Sequence, residues 1–170
     1  LIHLQMMGIE VPAGAASDSE DIWSYVEEEA SGARGAALGR NGFRVGLVRR
    51  ENWNALERVL KQVAGRQASA FTMSVLPNNP QPITLKPAQP PQTLFIFRGD
   101  RSLCGEDYPP CDNILTIVCT FNEDEPNRLL VLGQPQLRST GQKLELVEER
   151  GQYVWMAKSK VYELPDLTFR

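Results

Sequence analysis

Histidine is nearly missing from this chain: His3 is the only one among 170 residues. A Ser–His–Asp or Cys–His nucleophile would have to be built on it, so covalent catalysis of that kind is not expected. The same scarcity removes a common nitrogen donor for zinc. The sequence contains no Gly-x-Ser-x-Gly, P-loop, dinucleotide-binding glycine pattern or EF-hand loop. Ser159 lies between Lys158 and Lys160, but neighbours on a strand point to opposite faces and form no dyad. The sequence therefore predicts no cofactor and no metal site.

Long apolar runs are also missing. The longest, Ile114–Phe121, is interrupted by Thr116 and Thr120 and falls far short of the roughly 18–20 residues that cross a bilayer as a helix. Positive charge is not in excess: 18 Lys and Arg face 21 Asp and Glu, for a net charge of −3. Such a chain lacks the cationic surface that sequence-independent nucleic-acid binding uses. Hydrophobic residues nonetheless make up 42%, enough to offset chain entropy by burial, so the composition is globular rather than disordered.

Cysteine occurs three times, at Cys104, Cys111 and Cys119. The first two bracket a short polar segment with two prolines, and this predicts a loop closed by a Cys104–Cys111 disulfide. A zinc site is not expected there, because the spacing is too wide and no histidine is near in sequence. Cys119 lies in an apolar strand and reads as a small buried hydrophobe. Disulfides persist outside the cytosol. Together with a chain that begins at Leu1 rather than Met, the disulfide predicts a periplasmic or extracellular bacterial protein.

Two styles of patterning divide the chain. Leu1–Val11 alternates as a strand. Ser17-Asp-Ser-Glu20 has capping-box spacing, and Ile22, Trp23, Val26 and Ala30 follow at helical intervals in a helix that ends near Ser31-Gly32 or resumes through Ala36–Leu38. Asn41-Gly42 is a turn signal, Phe43–Val48 a short strand, and Trp53, Leu56, Val59, Leu60 and Val63 a helical stripe stopped by Gly65. Beyond this the period is that of strands: Phe71–Val75, Leu94–Phe97, Leu115–Phe121, Leu129–Leu132, Leu144–Val147 and Tyr153–Val161. Half of the 12 prolines fall between Pro77 and Pro91, which reads as an extended connector. The expected fold is α+β: a small βαβα(β) N-terminal lobe over residues 1–76, a Pro-rich connector over 77–92, and a mostly antiparallel β lobe over 93–170.

Candidate sites are few. The run from Gly32 to Gly46, with Arg34, Arg40 and Arg44, could cradle an anion, although a plain helix-to-strand connection explains it as well. Tyr108 with Glu106, Asp107 and Asp112 is the stronger binding candidate: an aromatic and several carboxylates on a stapled loop form a rigid recognition surface. Phe95 and Phe97 read as core, while Tyr153, Trp155 and Tyr162 stand in the last strands and invite a binding reading. These features predict a non-enzymatic interaction or structural module of the cell envelope or a secreted protein, with a protein partner or self-assembly. The alternatives are a small ligand- or metal-binding protein, and a carboxylate-dependent hydrolase acting on a glycan.

Overall fold

The computed structural model describes residues 1–12, 14–28, 33–64, 68–122 and 128–169. Strands outweigh helices, the sheets are antiparallel, and the fold is broadly α+β. The chain divides into two compact units, Leu1–Pro77 and Asn78–Arg170.

In the first unit, β1 (Ile2–Ile9) pairs antiparallel with β4 (Ala68–Val75), with Ile2 opposite Val75 and both buried. The helix expected from Ser17 is much shorter. Only α1 (Glu20–Trp23) forms, capped by the Ser19 hydroxyl, which accepts the Ile22 amide at 3.3 Å. The Ser17 hydroxyl instead donates to the Gly14 carbonyl, and Ser31-Gly32 lies outside the described residues. Tertiary partners outweigh helical periodicity here. The chain continues into β2 (Glu27–Glu28), which pairs with β3 (Gly46–Leu47), and Arg49 and Arg44 bind Glu27 and Glu28 at 2.6 and 2.7 Å. Between these strands runs α2 (Ala33–Arg40), closed at Asn41-Gly42, where Gly42 takes a φ of 77° that glycine adopts without strain. Beyond a 3-10 turn over Arg50–Asn52 lies α3 (Trp53–Ala64), whose stripe buries Leu56 and half-buries Val59, Leu60 and Val63. Trp53, at its start, is exposed.

The second unit holds a four-stranded sheet in the order β10-β9-β8-β5. These strands are β5 (Gln81–Gln89), β8 (Cys111–Phe121), β9 (Leu129–Glu149) and β10 (Gln152–Glu163). The Pro-rich segment read as a connector is thus built into the sheet as β5. Because β5 is an edge strand, its prolines can turn their missing N–H outward and cost the ladder nothing. Register shifts on either side of Lys86 break its pairing with β8 near Pro87. A separate hairpin joins β6 (Gln92–Phe97) and β7 (Leu103–Tyr108). The core of this unit gathers Cys111, Ile114, Ile117 and Cys119 from β8, Leu137 from β9, and Leu164 and Leu167. Phe169 lies along β9, where it and Gly133 exchange two backbone hydrogen bonds of 2.9 Å.

The expected disulfide is overturned: Cys104, Cys111 and Cys119 are all free. The segment after Cys104 is the strand β7 rather than a turn. Cys104 lies opposite Ile96 on β6, whereas the Cys111 sulfur accepts from Gln92 Nε2 at 3.1 Å, at the other end of that strand. Four residues of extended chain span about 13 Å, and a disulfide needs Cα atoms within about 7 Å. The two strands that carry the cysteines also pair elsewhere, β7 with β6 and β8 with β5 and β9. No described helix is long and apolar enough to cross a membrane.

Candidate functional site

Alternation along β6 and β7 sorts the candidate residues. In the hairpin register Gln92 faces Tyr108, Leu94 faces Glu106, and Ile96 faces Cys104. These positions share one face, since side chains two apart on a strand point the same way. That face lines a cavity of about 270 Å³. Glu163 at the end of β10, with Leu164 and the 3-10 turn Pro165–Leu167, supplies the opposite wall, and Arg98 lines the cavity from the turn after β6.

Tyr108 is buried and meets the Tyr162 ring edge to face, with centroids 5.3 Å apart. Its hydroxyl donates to Glu106 Oε2 at 3.0 Å. Burial, reinforced by this bond to a carboxylate, pushes the phenol up to about 12. Asp166 also lines the cavity and accepts the Gly99 amide at 3.3 Å. The cavity therefore combines apolar walls with three carboxylates, Glu106, Glu163 and Asp166, and one guanidinium, Arg98.

Two of the four candidate residues do not take part. Asp107 occupies the other face of β7 and accepts the hydroxyl of its cross-strand neighbour Thr93 at 2.6 Å. Asp112, on β8, accepts the Ala88 amide at 2.8 Å and Arg138 Nη2 at 2.8 Å. These bonds hold its carboxyl below the ordinary carboxylate range, the Ala88 amide contributing most. Asp112 thus pins the irregular part of β5 to the sheet. Arg44, part of the anion-cradle reading, is committed too. It binds Glu28, and its guanidinium stacks 3.9 Å from the Trp23 ring centroid. Among the described residues no group of three or more His, Cys, Asp or Glu is disposed to hold a metal ion.

A second candidate surface comes from the length of β9 and β10. Pairing of β8 with β9 stops at Ser139, yet β9 and β10 go on pairing with each other to Glu149 and Gln152. The result is a two-stranded arm from Gly141 to Ser159. Its tip is a two-residue turn with Arg150 and Gly151 both at positive φ, 53° and 79°, the arrangement that matches the twist of paired strands. A register shift between Ser159 and Val161 marks its base.

The arm's register separates two faces. One carries Gln142, Leu144, Leu146 and Glu148 opposite Ser159, Ala157, Trp155 and Tyr153. On it Leu144, Leu146, Tyr153 and Trp155 expose 68, 51, 69 and 67% of their surface. The other face carries Lys143, Glu145 and Lys158, with Lys158 Nζ 3.7 Å from Glu145. Val147, Val154 and the exposed Met156 also lie on that second face, so the arm's charge is concentrated there while its larger apolar stripe, on the first face, stands in solvent.

Sequence reasoning noted Tyr153 and Trp155 but missed Leu144 and Leu146 as their partners; only the hairpin register joins them. It also missed Arg98, Glu163 and Asp166, which lie far from Glu106 along the chain and carry no local signal. Phe95, read as core, is largely exposed and lies across Gly105. A Cβ at Gly105 would come within 2.8 Å of the Phe95 ring. No protein-family model, curated protein or solved structure matches the chain.

Proposed function

We propose that this chain is a non-enzymatic interaction module whose contact element is the β9–β10 arm. The observation that carries this reading is the exposed stripe Leu144–Leu146–Trp155–Tyr153. An isolated two-stranded hairpin is at best marginally stable in water. An apolar stripe of this kind, bounded by charged residues, marks a surface that another molecule covers. Aromatic residues dominate the energetics of such contacts because they bury large areas at small entropic cost. With its cysteines free, the chain loses the staple that argued for export, and the interaction reading rests on the arm in any compartment.

The test is site-specific photocrosslinking in the native cell. A benzophenone side chain at position 155 should yield a protein adduct, and the same probe at exposed Asp107 should yield far less. Absence of any adduct from position 155 would sink the reading.

A second reading, a small-ligand site, is favoured by the cavity that joins Glu106 and Tyr108 to Arg98, Glu163 and Asp166. A carboxylate-dependent hydrolase reading would draw on the same three acids, because Asp107 and Asp112 lie outside the cavity.

A further inference from the structure

We infer that the molecule covering the stripe is a second copy of this chain, its arm stacked face to face and antiparallel on the first about a two-fold axis. The inference rests on the interaction reading above and names its partner.

Side chains along the apolar face follow an order that suits stacking on a second copy. Read from tip to base, the cross-strand layers are Tyr153 with Glu148, Trp155 with Leu146, Ala157 with Leu144, and Ser159 with Gln142. A two-fold axis between the middle layers brings the Trp155–Leu146 layer of one arm onto the Ala157–Leu144 layer of the other. The largest side chain then meets the smallest, twice, which is the interdigitation that close packing requires. The end layers meet as Tyr153 and Glu148 against Ser159 and Gln142, forming a polar rim around an apolar centre.

Charge supports the same arrangement. Glu148 is the one charged residue on this face of the arm. In the antiparallel stack each Glu148 lies against Gln142 and Ser159, which can donate hydrogen bonds to it. A parallel stack would lay β9 on the partner's β10, setting the two large side chains Trp155 and Leu146 on each other and leaving Glu148 against the Tyr153 ring, which interdigitates less well. The opposite face, with Lys143, Glu145, Glu149 and Lys158 beside Val147, Val154 and Met156, is the more charged of the two and stays in water.

The area suffices. Two aromatics and two leucines, half to two-thirds exposed, present about 500 Å² per arm, given the 150–250 Å² a large aromatic offers. Two arms together bury about 1,000 Å², at the threshold of a specific interface. An association of that size is reversible, with a dissociation constant expected in the micromolar range.

Sedimentation velocity of the full chain, from about 1 to about 200 µM, brackets that range. The wild type should shift toward twice its 19.0 kDa mass as concentration rises. Trp155→Glu and Leu144→Glu should abolish the shift, with far-UV circular dichroism and thermal midpoint unchanged because both side chains are already in solvent. Ala157→Arg should abolish it as well, since it fills the space that the partner's Trp155 occupies. A wild type that stays monomeric throughout, or a dimer indifferent to Trp155→Glu, overturns the inference. So does a dimer that survives Ala157→Arg. These failures remain distinct from failure of the interaction reading. A monomeric chain whose position-155 probe still captures a different protein keeps that reading and changes only the partner.

Discussion

Asp112 accepts hydrogen bonds from the Ala88 amide and Arg138, and both favour its charged form. Its carboxyl is held below the unfolded-state value, so its contribution is present above that value and lost as pH falls through the lower, folded one. Asp112→Asn removes the charge while leaving an amide oxygen for the Ala88 amide. The wild type should therefore melt higher than the variant from neutral pH down to about 5, with the gap closing below about 4, where carboxylates protonate. Thermal midpoints of both proteins across that range check this. A gap that persists unchanged at the acid end would show that the Asp112 charge is not its source. Glu106 and Tyr108, two residues apart, share a face, and Asp107 between them does not. Sequence placed all three in one short segment. Their separation needed only the fact that the segment is a strand, which the pattern Leu103-Cys-Gly-Glu-Asp-Tyr108 does not announce because its alternation is not apolar.

Among the elements, α3 was the most legible. Its apolar residues recur at helical spacing over three turns, and the helix forms where they predict. Leu56 is its buried anchor. Leu56→Ala should cost about 2–5 kcal/mol, as truncation of a buried leucine does. Trp53→Ala, at the exposed start of the helix, should cost less. Urea midpoints of the two variants compare them directly, and an equal loss would mean that α3 is not held by the Leu56 face. β5 forms inside the segment that reads as a connector; its proline content argues against a central strand, and sequence does not reveal which strand lies at an edge. The arm was half legible: both of its strands were expected, but their extension past β8 depends on where β8 begins, at Cys111.

For the molecule taken whole, the thiols give the clearest readout. Cys111 and Cys119 expose 0 and 1% of their surface, whereas Cys104 is only half-buried. Burial also pushes the Cys119 thiol up, away from its reactive thiolate form. In denaturant, without reductant, three thiols should react with an alkylating reagent. In the native protein Cys104 should react first, and Cys111 and Cys119 only as the sheet unfolds. A single reactive thiol in denaturant would mean that two of the three cysteines are joined in a disulfide after all. Intact mass after alkylation distinguishes these outcomes.

The broad α+β character, the position of α3 and most strand segments were written locally, because hydrophobic periodicity over one element is fixed by backbone geometry. That no described helix is long and apolar enough to cross a membrane was legible in the composition of those same elements. Pairing was not. Which strand borders which, how far β9 outruns β8, and which carboxylates share a cavity depend on contacts between residues tens of positions apart. The stripe on the arm is the sharpest case. Leu144 and Leu146 become neighbours of Trp155 and Tyr153 only when the Arg150-Gly151 turn sets the register, and a slip of one residue would have scattered them over two faces.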